Sequence, residues 1–233
     1  MSIEAVIFDW GGTLTAWHDI DFHAESLALA QAVVNAEHDL EISRERLHRA
    51  GNAIWARSRD HQQSSTVADL FTEAGLEHDP ALLTAYWEFW EPHTITDPVV
   101  RPTWQALRGQ GIKIGVLSNT IWPREWHERI FERDGVLDLL DGDVYTSEIS
   151  WTKPSPHAFA KAMDAVGATD PGRCVYVGDR LFDDVWGARN AGLRAIHLPH
   201  SNIPVEQVGH SEGEPDAVIQ TLDELPELVR NWS

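Results

Sequence analysis

The sequence predicts an α/β protein, a Rossmann-like parallel sheet core domain with an inserted all-helical cap domain. Short apolar segments alternate with helical ones at the start of the chain and again from about residue 112 onward, as is typical of a parallel sheet. Between these parts, residues 23–91 show helical spacing of apolar side chains and no strand pattern. We therefore assign residues 1–16 and 96–233 to the core domain and residues 17–95 to the cap domain.

Composition and charge limit the possible partners. The chain has 233 residues, of which 42% are hydrophobic and 24% charged, and this is enough for one large domain or a core with an insertion. Its 18 basic and 37 acidic residues give a formal net charge of -19, which repels nucleic acid and anionic membrane surfaces. We expect neither nucleic acid nor membrane as a partner. An anionic substrate must then be captured by local cations or a metal ion.

The chain also lacks the signals of export or membrane insertion. Cys174 is its single cysteine, so no disulfide can form within the chain, and its apolar neighbours indicate a buried strand. The N-terminus shows no basic segment followed by an apolar run, and no stretch is long enough to cross a bilayer. We expect a cytoplasmic protein that acts as a monomer or homodimer.

The first predicted strand, residues 5–8, leads directly into a candidate nucleophile. Asp9 follows this apolar segment and should emerge at the carboxyl end of the strand, where open α/β sheets bind ligands. The backbone amides of Gly11 and Gly12 can approach an anion closely because these residues have no Cβ atom. Thr13 adds a hydroxyl beside them. The same segment also fits an ordinary turn between a strand and a loop, so the rest of the chain must decide whether it is a catalytic motif.

The inserted segment is predicted to consist of helices packed on helices. Asp79 and Pro80 form an N-cap followed by proline at the first helical position. Aromatic side chains are frequent here and near the proposed site. We expect Trp10, Trp17 and Trp122 to form an aromatic wall beside the site, and we expect the interior of the cap domain to be filled by three others, Trp55, Trp87 and Trp90.

Beyond the insertion, two strand ends carry polar side chains. Further strands are predicted at 112–117, 143–145, 173–177, 194–198 and 217–219. Ser118 and Asn119 directly follow the first of these, so they should lie at the same sheet edge as Asp9. Lys153 is the one lysine predicted in a loop at this edge, because Lys113 begins a strand and Lys161 lies within a helix.

A third strand end gathers carboxylates. Asp179 follows the strand predicted at 173–177, and Asp183 and Asp184 lie on the opening turn of the next helix. Hard oxygen ligands collected at one point suit Mg²⁺. Asp183 and Asp184 could instead be present because acidic residues favour a helix N-terminus, an explanation that does not extend to Asp179.

These segments, in this order, resemble the haloacid dehalogenase superfamily of phosphotransferases and phosphatases, and the helical insertion is similar to the family's C1-type cap. The resemblance covers nearly the whole chain. It rests on four motifs, namely residues 9–15, Ser118 with Asn119, Lys153 with Pro154, and Gly178 with Asp179 and Asp184.

The resemblance implies a two-step reaction on a small phosphorylated metabolite. Asp9 would attack phosphorus to form an aspartyl-phosphate, which water would then hydrolyse. Mg²⁺ would be held by Asp9, the Gly11 carbonyl and Asp179, with Asp184 contacting the ion directly or through another ligand. Lys153 would balance charge, and the phosphoryl group would be bound by Ser118, Asn119, Gly11, Gly12, Thr13 and Lys153.

Gly11 departs from the family pattern. Most phosphatases of the superfamily have a second aspartate at this position, which protonates the leaving group and later activates water. A positioned acid or base is typically worth about 10²- to 10⁴-fold in rate. The metal contact through the carbonyl would survive, whereas proton transfer would need another group. His18 and Asp19, on the segment that leads into the cap, are our candidates for that role.

Other branches of the superfamily also lack this aspartate. Phosphonoacetaldehyde hydrolases use a cap lysine, and the predicted cap contains none. Dehalogenases release halide without metal, but they typically have a less acidic fourth motif than Asp179 and Asp184 provide, so a 2-haloacid dehalogenase-like activity is the alternative. A catalytically silent protein that binds a phosphorylated ligand or a partner protein is another, and the joint presence of Asp9, Lys153 and Asp179 argues against it.

Overall fold

The computed structural model describes residues 2–16, 20–33, 39–199 and 210–232. A six-stranded sheet with the order β3-β2-β1-β4-β5-β6 forms its centre. All neighbouring strands are parallel, so their carboxyl ends share one edge. The strands are β1 (Ala5–Phe8), β2 (Lys113–Ser118), β3 (Gly142–Tyr145), β4 (Cys174–Gly178), β5 (Arg194–His197) and β6 (Ala217–Val218).

Strand β1 lies in the middle of the sheet and is buried on both faces. Val6 and Phe8 pack into one apolar cluster, together with Trp104 and Phe131. Ala5 and Ile7 point to the opposite face and pack into a second cluster, as the two-residue period of a strand requires. The predicted parallel α/β fold is therefore confirmed, and each strand boundary differs from its prediction by at most one residue.

In the described part of the chain, five α-helices lie between β1 and β2 in sequence, and the first four belong to the helical insertion. The helices of the whole chain are α1 (Phe22–Val33), α2 (Leu40–His61), α3 (Val67–Glu73), α4 (Pro80–Trp90), α5 (Val100–Arg108), α6 (Arg124–Arg133), α7 (Pro156–Ala165), α8 (Gly187–Asn190) and α9 (Leu225–Asn231). Asp79 caps α4 by accepting from the Ala81 amide, and Pro80 follows it, as predicted.

Helices α1 to α4 share a third apolar cluster, to which Trp122 and Ile130 of the core domain also belong. Leu47, Leu70, Phe71 and Leu82 are among its buried members. The chain enters and leaves this helical region at one place, where Thr15 forms an antiparallel bridge with Thr96. We retain residues 17–95 as our proposed cap domain, and the bridge supports these limits.

Two sequence-based expectations concern the chain as a whole. Cys174 is buried in β4, as predicted. None of the described helices is both long enough and apolar enough to cross a bilayer.

Candidate active site

Asp9 follows β1 at the carboxyl edge of the sheet. Its side chain is buried, and its amide donates to the Val177 carbonyl oxygen at 2.9 Å. The backbone then turns sharply at Gly12, whose φ of 84° lies in the left-handed region that glycine adopts without steric cost. The buried strand and this tight turn fix Asp9 at the centre of the edge.

Lys153 is also buried, and its ammonium bridges two carboxylates. Its Nζ atom lies 2.6 Å from Asp9 Oδ1 and 2.7 Å from Asp184 Oδ1. It also donates to the Tyr176 hydroxyl at 2.9 Å, and that hydroxyl donates to the Leu117 carbonyl oxygen. The ammonium is therefore held in one position by three hydrogen bonds.

Asn119 holds the backbone of this lysine. The Lys153 amide donates to Asn119 Oδ1 at 2.8 Å, and Asn119 Nδ2 donates to the Lys153 carbonyl oxygen at 3.1 Å. The side-chain amide of Asn119 is thus engaged at both ends. It positions Lys153, while direct contact of Asn119 with substrate stays a prediction.

Asp179 and Asp184 join Asp9 in a buried acidic cluster. One carboxylate oxygen from each of the three lies within 4.8 Å of the others. Asp184 stands on a π-helical turn, Leu181–Trp186, and its Oδ2 accepts from the Arg180 amide at 2.8 Å. A Cβ atom at position 178 would come within 2.3 Å of the Asp184 carboxyl carbon. Gly178 is therefore required for Asp184 to reach the site.

Burial and charge alter the ionisation of these groups. Burial raises the pKa of Asp9 to about 6, although Lys153 lowers it and Asp184 raises it further. Burial also raises the pKa of Asp183 to about 6, against the lowering effect of Arg180. For Lys153, burial lowers the pKa, but Asp184 and Asp9 together raise it above its usual value. The lysine thus keeps its charge.

The acidic cluster suits a hard divalent cation. Asp9, Asp179 and Asp184 are all buried and supply oxygen ligands, which Mg²⁺ prefers. Three carboxylates meet at this point, and each ionised carboxylate would repel a phosphate by about 4 kcal/mol at 4 Å and an effective dielectric near 20. A divalent cation would offset that repulsion.

A cavity of about 190 Å³ lies between the sheet edge and the helical region. Five residues of the predicted site line it, namely Asp9, Gly11, Ser118, Asn119 and Lys153. Gly12, Thr13, Asp179 and Asp184 are not part of its wall.

Gly12 and Thr13 are placed differently from our expectation of exposed phosphate donors. The Gly12 amide donates to the Thr15 carbonyl oxygen at 2.8 Å, and this hydrogen bond stabilises the turn. The Thr13 hydroxyl is buried and has no hydrogen-bond partner within the described ranges. Their binding of a phosphoryl group stays a prediction.

The tryptophan predictions are partly confirmed. Trp10 and Trp122 line the cavity, and Trp87 is buried in the helical interior. Trp55 and Trp90 were expected in that interior, but both also line the cavity, and Trp55 is 38% exposed. Helical spacing places a side chain on the inner face of a helix without distinguishing a solid interior from a cavity wall. Trp17, His18 and Asp19 lie outside the described residues.

Sequence reasoning overlooked three residues near the site. Tyr176 lies within the strand predicted at 173–177 and was given no role, although a tyrosine buried in a strand needs a partner for its hydroxyl, and here it orients Lys153. Arg180 and Glu25 line the cavity. Arg180 directly follows Asp179 and could have been noticed, whereas nothing in its local sequence distinguishes Glu25 from other helical glutamates.

A model of haloacid dehalogenase-like hydrolases matches residues 3–192 of this sequence. The match includes the sheet from β1 to β4, the helical insertion and the acidic cluster. The chain belongs to the haloacid dehalogenase-like hydrolase family. It is therefore an enzyme of the hydrolase class.

Two named relatives are moderately similar to this chain in sequence. The glyceraldehyde 3-phosphate phosphatase of Methanopyrus kandleri is 28% identical over 233 residues, which cover 98% of this chain and 97% of the relative. The haloacid dehalogenase-like hydrolase domain-containing protein 3 of Danio rerio is 30% identical over 175 residues, covering 71% of this chain and 67% of the relative.

Solved structures support the fold assignment. A phosphatase of this family from Thermococcus onnurineus superposes with a TM-score of 0.69 at 24% sequence identity, and the match covers 97% of this chain and 98% of the phosphatase chain. The L-2-haloacid dehalogenase of Xanthobacter autotrophicus superposes with a TM-score of 0.66 at 20% sequence identity, and the match covers 99% of this chain and 100% of the dehalogenase chain. Since a phosphatase and a dehalogenase fit about equally well, the shared fold does not distinguish the two reactions.

Proposed function

We propose that this hydrolase is a Mg²⁺-dependent phosphatase that cleaves a small phosphorylated metabolite through an aspartyl-phosphate on Asp9. The observation that carries the proposal is the buried cluster of Asp9, Asp179 and Asp184, in which Asp9 and Asp184 pair with the Lys153 ammonium. The names of several relatives agree with it, since they are phosphatases of a phosphorylated triose.

Each residue has a distinct part in the proposed reaction. An Asp9 carboxylate oxygen attacks phosphorus in line, the bond to the leaving alcohol oxygen breaks, and water later cleaves the new acyl phosphate. Lys153 keeps the Asp9 carboxylate oriented and balances the charge of the incoming phosphate. Ser118, which is buried at the end of β2 in the cavity wall, donates its hydroxyl to a phosphoryl oxygen.

Mg²⁺ would be held by Asp9, Asp179 and the Gly11 carbonyl, with Asp184 beside them. When bound, it supplies positive charge that stabilises the phosphoryl oxygens. The chain provides no carboxylate at position 11 to move protons, so we propose that His18 or Asp19 partly fills this role. Equal turnover by the parent and by the double variant with His18→Ala and Asp19→Asn would contradict that assignment.

A panel of phosphorylated metabolites, assayed with Mg²⁺ and with excess chelator, tests the proposed function. We expect release of inorganic phosphate that requires Mg²⁺ and is lost in the isosteric variant Asp9→Asn. Phosphate release by Asp9→Asn at the parent rate would overturn the mechanism. Halide release from 2-haloacids without Mg²⁺ would favour the dehalogenase alternative.

A further inference from the structure

The cavity wall contains a compact group of aromatic rings, contributed by the helical region and by the core domain. Neighbouring rings in this group have centroids 5.4 to 6.4 Å apart. We call it the aromatic cage, and its members are Trp10, Phe22, Tyr86, Trp90 and Trp122, all of which line the cavity.

One carboxyl group lies against this cage. Glu25, on the first turn of α1, also lines the cavity, and its Oε1 accepts from the Trp90 indole nitrogen at 2.7 Å. Burial raises the pKa of Glu25 to about 7, although hydrogen bonds from Trp90 and Tyr86 lower it. Within the described ranges no lysine, arginine or histidine comes within ion-pair distance of it.

The arginines of the middle of the helical region are engaged elsewhere. Arg57 pairs with Glu73 at 3.1 Å and Arg59 pairs with Asp60 at 2.7 Å, and neither lines the cavity. The other titratable side chains that α2 and the segment after α4 contribute to the wall are His48 and His93. This wall therefore offers no lysine or arginine, within the described residues, to a second anionic group of a substrate.

Aromatic faces and a carboxylate together are the groups that bind organic ammonium ions. The negative face of each ring attracts a cation, and the attraction is strongest where water is excluded. A neutral apolar group could pack on the same rings but would gain nothing from the carboxyl of Glu25, and an anionic group would be repelled by it.

We propose that the aromatic cage and Glu25 bind an ammonium group, so that the substrate is a phosphomonoester of an amino alcohol with a cationic nitrogen. This proposal rests on the proposed phosphatase function for the phosphate half of the molecule. Lys153 at the sheet edge binds the phosphate. The aromatic cage and Glu25 bind the ammonium group at the other end of the substrate.

A pair of isosteric alcohols tests this proposal without requiring turnover. Choline carries a trimethylammonium group, and in 3,3-dimethylbutanol a carbon atom replaces its nitrogen. Binding of each can be followed by quenching of tryptophan fluorescence, since Trp10, Trp90 and Trp122 line the cavity. We expect choline to bind about 10-fold more tightly than its neutral isostere. In Glu25→Gln this preference should fall at least severalfold, while Glu77→Gln, which changes an exposed glutamate, should retain it.

The matching phosphate esters connect binding to the reaction. With choline phosphate and 3,3-dimethylbutyl phosphate, Glu25→Gln should raise KM severalfold more for the first ester than for the second, whereas Glu77→Gln should not separate the two. Equal affinities for the two alcohols, or tighter binding of the neutral one, would overturn the ammonium site. A uniform loss of kcat on both esters would overturn it too, because it would mean that Glu25 acts on the chemical step.

Phosphate release from other esters without any preference for ammonium would leave the phosphatase function intact, whereas choline binding without phosphate release would refute that function alone.

Discussion

The sheet edge and the helical wall of the cavity differ in the way charge is distributed. At the sheet edge, Asp9 and Lys153 line the cavity, and the carboxylates of Asp179 and Asp184 lie within a few ångströms of Asp9. The helical wall instead presents aromatic rings and the carboxyl group of Glu25. The first arrangement is suited to bond making at phosphorus, and the second to selecting what is attached to the phosphate. In the function that we propose, the sheet edge carries out the chemistry and the helical wall contributes to substrate selection.

Restoring the aspartate that position 11 lacks tests whether the sheet edge is complete except for proton transfer. We expect Gly11→Asp to raise kcat by about 10²- to 10⁴-fold, the usual contribution of a positioned acid or base. The measurement is steady-state phosphate release with Mg²⁺. Gly11→Asn is the matched control, because it adds a similar side chain that cannot transfer the proton. Equal rates for both variants and the parent would show that another group already performs this step.

Removing the ammonium tests the charge balance of the same wall. Lys153→Met should lower kcat by about 10²- to 10³-fold, because a preorganised positive charge is lost from the phosphate site. It should also make the protein less stable unless Mg²⁺ is present, because Asp9 and Asp184 lose their shared partner.

Lys161→Met is the control for this variant, since Lys161 is exposed on α7. Phosphate release and thermal unfolding, each with and without Mg²⁺, check both expectations. Unchanged turnover of Lys153→Met would remove this lysine from the proposed mechanism.

The smallest expected effect concerns the helical wall and appears in stability. The folded state raises the pKa of Glu25 from 4.5 to about 7, so the folded protein holds this proton more tightly than the unfolded chain. The free energy of unfolding should therefore fall between pH 4.5 and 7, by about 1 to 3 kcal/mol. The lower figure applies if water reaches the half-buried side chain.

Urea unfolding of the parent and of Glu25→Gln at pH 5 and pH 8 measures this effect. We expect the variant to gain stability relative to the parent at pH 8 and to differ little at pH 5, with Glu77→Gln following the parent at both values. The same difference at both pH values would show that Glu25 is not held protonated by the fold.

The two walls also differ in how far the sequence predicts them. The sheet edge could be predicted residue by residue, because Asp9, Ser118 and Asp179 lie at the ends of strands, and parallel strands bring their carboxyl ends together. Lys153 could be predicted there as the one lysine in a loop at that edge. The roles of Asn119 and Tyr176 required coordinates, since both act through hydrogen bonds to Lys153 that join residues far apart in the chain.

The helical wall was predicted only as helices. Periodicity identifies the inner face of a helix, but it does not say whether that face meets other side chains or a cavity. Trp55 and Trp90 illustrate the difference, because both follow the helical pattern and both line the cavity. Glu25 could not be identified at all, because the distinction between a buried carboxyl and an exposed one depends on how α1 packs against α2 and α4.

The central claim is that Asp9 becomes covalently phosphorylated. Because position 11 lacks the usual group that activates water, the aspartyl-phosphate should persist long enough to be trapped. The measurement is a rapid acid quench of the enzyme with Mg²⁺ and a phosphomonoester that it hydrolyses, followed by mass spectrometry of the peptide that contains Asp9. We expect one phosphoryl group on that peptide in the parent and none in Asp9→Asn. Steady phosphate release with Asp9 unmodified at every time point, and undiminished in Asp9→Asn, would contradict the mechanism.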